Sequence, residues 1–431
     1  MTPYEKYLKA ELGINEGMIR LGLSLERPEG YTRDPERRMG AMADFLAACG
    51  NPQRGLPAVH VAGTSGKGSV CAAIAGVLGE AGLRVGLHIS PYLQSATEKI
   101  WVDGLFASAE EFADLVEWVT PVAAPRVRPE TPASIHGMAS VAIALEAFRR
   151  EQLDIIVFEA GCGARYDLTS FVETETAVIT NVGLDHVVSL GPGIERIAWH
   201  KAGVARPGVP LVTGASGIAL DVARREAASL GAPIVEIPPG EDPRRHNLEI
   251  AAEASRQVAD RLGVRLDEEA IARGLEKVRL AGRFEAMPGR GPRVVVDGAH
   301  NREKLSVAVD ASLEAPVSGE KVAVVGFLGT KASRELIAPL VGRFDRIVAT
   351  RPTVYAKTPH PAEATAALFD EAGCDATAIV DPEEALTAGM ELAGPDGLVL
   401  LAGSFYLAGQ LRDRWYPKER VVLERTSWPG V

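Results

Sequence analysis

The chain has little cysteine and no long apolar run. Its four cysteines, Cys49, Cys71, Cys162 and Cys374, are scattered without the paired spacing of a zinc site or a disulfide framework. No stretch approaches the ~20 apolar residues of a membrane span, and no charged leader precedes an apolar segment near Met1. A place in the reducing cytoplasm and no membrane partner are expected. Basic residues are also in deficit: 46 Lys and Arg against 57 Asp and Glu give a formal net charge of −11. That balance argues against general binding to nucleic acid or anionic lipid and leaves room only for local cationic pockets. Small molecules are the expected partners.

The 431 residues exceed what one hydrophobic core organises, and 46% apolar with 24% charged residues is an ordinary globular balance. Two domains follow. Strand-like runs at 57–62, 84–89, 154–159, 176–181 and 209–213 mostly alternate with helix-length segments, as in a largely parallel sheet covered on both faces. Residues 1–45 read as mostly helical and polar, and helices are expected at 243–262 and 267–278. The stretch from Ala281 to Pro292 is rich in glycine and proline and suits a linker. A second alternation, with runs at 293–297, 321–326, 346–350, 376–380 and 397–403, makes a smaller α/β domain. The expected division is 1–282 and 283–431.

The densest chemistry lies between Val59 and Ser69. An apolar strand runs into Gly63-Thr64-Ser65-Gly66-Lys67-Gly68-Ser69, and a helix pattern follows over 70–81, the place where open α/β sheets bind phosphates. The common phosphate loop separates its glycines by four residues and follows its lysine with a hydroxyl. Here two residues separate Gly63 from Gly66, and Gly68 precedes Ser69, so the loop is a variant. Gly63 permits the tight turn, Gly66 and Gly68 let backbone amides approach oxyanions, Lys67 supplies a compact charge, and Ser69 can ligate Mg2+. An enzyme using ATP or GTP is implied; a purely structural strand-to-helix turn is the bland alternative.

Three further segments carry chemistry near that loop. Glu159 ends an apolar strand and is followed at once by Gly161-Cys162-Gly163, so its carboxylate could ligate a hard cation opposite Ser69 or simply be solvated. Thr180 to His186 repeats the pattern after the next strand, where His186 is a feasible if unusual Mg2+ ligand or a structural histidine. Lys201, within a helical segment, is either a solvated charge or a desolvated amine able to form a metal-binding carbamate with CO2. In the second domain, Asp297-Gly298-Ala299-His300-Asn301 stands at a strand end before a helix. With Arg283 it could clamp a phosphate or ribose on domain closure, or it could only cap the helix.

Taken together, Gly63 to Ser69, Ser90-Pro91-Tyr92-Leu93, Glu159 to Arg165, Thr180 to His186, Lys201-Ala202-Gly203, His246-Asn247, Gly282-Arg283-Phe284-Glu285, Asp297 to Asn301 and Gly403 to Tyr406 stand in a telling order. It resembles that of the folylpolyglutamate synthase/dihydrofolate synthase branch of the Mur ligases, from about Gly50 through Tyr406. The resemblance implies an α/β fold with a P-loop Mur-ligase-like central domain and a smaller Rossmann-like C-terminal domain. It also implies ATP-dependent amide formation. A substrate carboxylate attacks the γ-phosphate of MgATP, an acyl phosphate forms, and the amine of glutamate displaces phosphate. By motif match, Ser69, Glu159 and His186 would hold Mg2+, and Lys201 would be the carbamylated lysine. Lys67 and the amides of Gly63, Thr64, Ser65, Gly66, Gly68 and Ser69 would bind the β- and γ-phosphates. Asn247, Arg283 and Asp297 would contact the nucleotide, with His300 nearby. Metal ions, Lys67 and Arg283 would offset the negative charges that phosphoryl transfer to a carboxylate brings together. A monomer acting on a small carboxylate and glutamate is expected.

The chain departs from that pattern where an acceptor would be recognised. Ser65 replaces the usual asparagine, Tyr92 the usual histidine after Ser-Pro, and His200 the usual glutamate before Lys-Ala-Gly. Gly161-Cys162-Gly163-Ala164-Arg165 replaces Gly-Leu-Gly-Gly-Arg, and Pro132 to Gly137 reads Pro-Ala-Ser-Ile-His-Gly where the family tends to carry Phe-Glu. Loss of an aromatic face removes a stacking surface for a flat heterocycle, so a Mur-type ligase acting on a non-folate carboxylate is the rival reading. A nucleotide-binding regulator without ligation and a phosphotransferase acting on a hydroxyl are the alternatives of another class. Glu159, His186 and Lys201 together weigh against the regulator, since mere binding needs no such second set.

Overall fold

The computed structural model describes residues 1–24, 34–329, 332–355 and 357–430. The chain forms two compact units: the first comprises Met1–Tyr92 with Ala96–Arg279, and the second Leu93–Ser95 with Leu280–Val431.

The first unit is built on eight strands: β1 (Pro57–Ala62), β2 (Val85–His88), β3 (Trp101–Val102), β4 (Leu105–Phe106), β5 (Ile155–Glu159), β6 (Glu173–Ile179), β7 (Leu211–Thr213) and β8 (Ile234–Glu236), in spatial order β4-β3-β2-β5-β1-β6-β7-β8. All neighbours from β2 to β8 are parallel, and among the described strands β3 alone is reversed, pairing antiparallel with both β2 and β4. The central strands β1 and β5 are largely apolar, because helices cover both faces and leave no solvated side to alternate with. On one face Val59 and Val61 pack with Val70, Ile74, Val157 and Ile250; on the other Ala62, Ile179 and Leu211 pack with Ala198, Ala202 and Val222. Each fully buried aliphatic side chain contributes about 1.5–3 kcal/mol.

Strand β6 starts earlier than the expected 176–181, since the polar Glu173-Thr174-Glu175 lead-in pairs beside β1 although it lacks the apolar run that marks a strand. Helices Pro3–Ile14 and Pro35–Ala48 carry the expected N-terminal helicity, opened by Thr2 and Asp34 caps. The portion 25–33 of that expectation lies outside the described residues.

The second unit has six strands: β9 (Glu285–Ala286), β10 (Arg293–Val296), β11 (Lys321–Val325), β12 (Arg346–Ala349), β13 (Ala376–Ala378) and β14 (Leu398–Ala402), in order β13-β12-β11-β14-β10-β9. Among these described strands only β9 is antiparallel to its neighbour. The expected linker at 281–292 is therefore partly an edge strand. Glu285 anchors it: its carboxylate receives Arg412 Nη2 at 2.7 Å, Trp428 Nε1 at 2.7 Å and the Gly282 amide at 2.8 Å. Arg412 is wholly buried and also donates to Gln94 Oε1 and the Ser427 carbonyl, which ties residues 93–95 into this unit.

Candidate active site

In the first unit the loop after β1 is held by the residues that follow β6. Thr180 Oγ1, just past β6, donates to the Ser65 carbonyl at 2.6 Å, and Asn181 Oδ1 accepts from the Thr64 and Ser65 amides at 3.2 and 2.9 Å. Thr64 Oγ1 in turn accepts from the Gly183 amide at 2.9 Å. The Gly63 carbonyl accepts from Lys201 Nζ at 2.6 Å. Gly63 and Gly66 are obligatory. A Cβ on Gly63 would lie 1.9 Å from Thr180 Oγ1; one on Gly66, at φ +78°, would lie 2.5 Å from Asn247 Oδ1.

Helix Lys67–Glu80 begins at Gly66 with no side-chain cap. Its first-turn amides have no intrahelical partner, and with the helix dipole they form a fork for an anion. Lys67 Nζ stands 3.8 Å from Glu159 Oε1, while Glu159 Oε2 accepts the Ser90 amide at 2.9 Å. Glu159 is buried, so it is not the solvated strand-end carboxylate of the bland reading. Lys201 is 1% exposed, which removes the solvated-charge reading for it as well. The uncapped glycine fork, a lysine and the buried Ser65 Oγ, which has no hydrogen-bond partner, suit a polyphosphate.

Ser69 lies in the first helical turn and Glu159 at the end of β5, beside β1, so a hydroxyl and a carboxylate oxygen are available for a hard cation. His186 follows β6, which flanks β1 on the other side. It takes a left-handed conformation at φ 51°, is half exposed, and holds Nε2 3.7 Å from Asp185 Oδ2. Among the described residues no group of three or more His, Cys, Asp or Glu is arranged to hold a metal. A cation here would depend on Ser69 and phosphate oxygens for the rest of its shell.

Two histidines behind the loop are locked neutral. His88 stacks on Phe158 at 4.4 Å and donates Nδ1–H to the Lys99 carbonyl at 2.8 Å; burial, then the Lys99 charge, push its pKa down to about 3. His60, fully buried with Nε2 2.8 Å from Thr169 Oγ1, is likewise pushed down to about 3 by burial and then by Arg206. His200, beside Lys201, is lowered by burial first and then by Arg196, Arg165 and Lys201.

In the second unit Asp297 closes a turn. Its Oδ2 accepts the Phe284 amide at 2.7 Å and its Oδ1 the Ala299 amide at 2.7 Å. Phe284 sits at φ 47°, and this turn presents Arg283, exposed, with its guanidinium 4.6 Å above the Phe405 ring. Asp297 thus fixes the Arg283 turn through backbone amides. His300 Nδ1 donates to the Gly298 carbonyl at 2.8 Å. Asn301 caps helix Arg302–Leu313 by accepting from the Lys304 amide, so the capping reading holds for Asn301 and not for Asp297.

Residues 282–405 match the model of the Mur ligase, glutamate ligase domain family. Against the dihydrofolate synthase/folylpolyglutamate synthase of Escherichia coli the chain is 30% identical over 298 residues, covering 63% of this chain and 67% of that protein. It belongs to the folylpolyglutamate synthase/dihydrofolate synthase family. A probable bifunctional folylpolyglutamate synthase/dihydropteroate synthase of Halobacterium salinarum is 32% identical over 421 residues, 88% of this chain and 50% of that protein, so the chain spans about half the length of that relative. The folylpolyglutamate synthase of Mycobacterium tuberculosis complexed with ADP superposes with a TM-score of 0.83 at 24% identity, over 96% of this chain and 99% of that one, which establishes the shared fold.

Within this folylpolyglutamate synthase/dihydrofolate synthase member, sequence reasoning missed the residues that shape the loop. Thr180 and Asn181 were visible only as a strand end. Their role follows from β6 pairing directly with β1, which puts their side chains under Thr64 and Ser65. No helix among the described residues is long and apolar enough to cross a membrane.

Proposed function

We propose that this chain is an ATP-dependent ligase that joins L-glutamate to the carboxylate of dihydropteroate or a folate through an acyl phosphate. The observation that carries the proposal is the uncapped Gly66–Ser69 helix start with Lys67 set against the buried Glu159. The loop amides and Lys67 hold the β- and γ-phosphates. Lys201 fixes the Gly63 carbonyl and so keeps the amides aimed at their oxygens. Ser69, Glu159 and His186 are the proposed holders of Mg2+, which when bound offsets the phosphate charge. Asn247, which lies against Gly66, is the proposed contact to the nucleotide from this unit. Contact of Arg283 with the nucleotide, orientation of its turn by Asp297, and a supporting role for His300 belong to the same proposal. So do carbamylation of Lys201, a monomeric state and action in the cytoplasm. The reaction balances as carboxylate plus ATP giving acyl phosphate and ADP, after which the glutamate amine forms the amide and releases phosphate.

The test is phosphate release with MgATP across dihydropteroate, folates and unrelated carboxylates, each with and without glutamate. Turnover that needs both a pterin acid and glutamate supports the proposal. Turnover with another acid and silence with every pterin supports the second reading, a Mur-type ligase for a non-folate acceptor, which the His136 and Tyr92 positions favour. Hydrolysis indifferent to acid and amine overturns both.

A further inference from the structure

In the first unit a chain of buried polar side chains, His60, Thr169 and Asp167, runs from the middle of β1 to the turn that follows β5. A carboxylate taken out of water must be matched by hydrogen bonds. Asp167 has four of them. Its Oδ1 accepts the Gly161 amide at 3.2 Å, the Thr169 amide at 3.1 Å and the Thr169 hydroxyl at 2.6 Å, and its Oδ2 accepts the Cys162 amide at 3.2 Å. A hydroxyl has one proton to give. Since Thr169 gives it to Asp167, the Thr169 oxygen can only accept from His60 Nε2, 2.8 Å away. His60 is therefore the Nε2–H tautomer, and its Nδ1, which has no partner, is the bare nitrogen.

The place where this chain acts is set by the sheet. His60 stands in register with Phe158, the residue before Glu159, on the strand that leads into Gly63 and the phosphate loop. The ladder between β1 and β5 closes with the Ala160 amide on the Val61 carbonyl at 2.9 Å. Just past that bond, Asp167 takes the next two amides, those of Gly161 and Cys162. The end of β5 is thus braced against the strand that carries the phosphate loop. The spacing governed by that brace is the one between Lys67 Nζ and Glu159 Oε1, 3.8 Å.

Resting on the ligase reading above, we infer that His60 is a positioning residue: through Thr169 and Asp167 it fixes the Gly161–Cys162 turn and so aims the Glu159 carboxylate at the nucleotide site. His60 itself touches neither nucleotide nor acceptor, and its effect passes entirely through hydrogen bonds. Removing an outer group that orients a ligand-holding side chain typically costs about 10- to 100-fold in affinity or activity.

The experiment is a calorimetric double-mutant cycle on MgADP affinity that pairs Thr169 with Glu159. Thr169→Val keeps the shape and removes the hydroxyl, so it should weaken MgADP by about tenfold or more, and His60→Leu should do the same. Thr169→Ser restores the hydroxyl and should stay within about threefold of wild type. In a Glu159→Gln background Thr169→Val should cost no more than about twofold, because the carboxylate it aims is already gone. A group that only stabilises the core would lower Tm and cost the same in both backgrounds. Nitrogen NMR of the His60 ring gives a readout free of nucleotide: Nε2 should carry the proton and Nδ1 should not. Equal losses in both backgrounds, full affinity in Thr169→Val, no rescue by Thr169→Ser, or a proton on Nδ1 overturns the inference while ligation stands. Coupling in the cycle from a chain that turns over no acid supports the inference while the ligase reading fails. A wild type that binds no nucleotide overturns both.

Discussion

Gly66→Ala probes the site at its tightest point. Gly66 sits at φ +78°, where an L-residue costs about 1–2 kcal/mol. The added Cβ would lie 2.5, 2.7 and 2.9 Å from the Oδ1, Nδ2 and Cγ of Asn247. Asn247 must then turn away from the loop, or the loop must open and misalign its amides, at a further cost of roughly 1–2 kcal/mol. The combined 2–4 kcal/mol weakens MgADP binding by roughly 30- to 700-fold. Calorimetric titration of nucleotide measures this directly, with thermal unfolding as the control, since strain confined to one loop should shift Tm by only a few degrees. In the double variant Gly66→Ala/Asn247→Gly the clash disappears and only the left-handed strain remains. The two substitutions together should therefore cost less than the sum of each alone, by about 1–2 kcal/mol. Nucleotide binding within twofold of wild type in Gly66→Ala, or strict additivity in the cycle, would refute the geometric reasoning.

Other expectations follow from the buried charges. Lys201→Met leaves the Gly63 carbonyl without its 2.6 Å donor; turnover should fall at least ~100-fold with folding retained by circular dichroism. If the carbamate forms, bicarbonate should restore activity to CO2-stripped wild type and leave Lys201→Met silent. Arg412→Met strands the Glu285 carboxylate in the second unit and should cost about 3–5 kcal/mol in denaturant unfolding; a loss under 1 kcal/mol would contradict the buried-pair reading. His60 and His88 have pKa values pushed down to about 3, against 6.5 in an unfolded chain. Between those values the unfolded chain binds protons that the folded one does not, so stability is intact above pH 6.5 and falls as pH falls. The pair should remove roughly 4 kcal/mol between pH 7 and 5. His60→Asn should flatten that slope by about half, and an unchanged slope would show that His60 titrates in the fold.

The strands that build the site were legible because parallel strands buried on both faces are nearly continuous apolar runs, as in Ile155 to Phe158 and, broken only by His60, Val59 to Ala62. Strands β3, β4 and β9 escaped because two residues are too few for any periodicity to register. The glycine and proline content near 281–292 suggested a linker, but the Glu285 carboxylate and the four hydrogen bonds it accepts outweigh that local tendency. The variant phosphate loop could be read residue by residue because its chemistry is carried by its own sequence. What could not be read was depth and partnership. The residues around Lys201 favoured a solvated charge, and only its 1% exposure removes that reading. Asp297 carried no local sign that its oxygens would take the Phe284 and Ala299 amides, since the first of these lies thirteen residues away.

The most direct measurement is the stoichiometry of MgATP consumption with a pterin acid and glutamate. One ADP and one phosphate should appear for each amide formed, with none when either the acid or glutamate is withheld, and with Lys67→Ala silent under the same conditions. ADP release that proceeds without the amine, or amide formation that survives loss of Lys67, would contradict a site in which the loop, Lys67 and Glu159 activate a carboxylate for ligation.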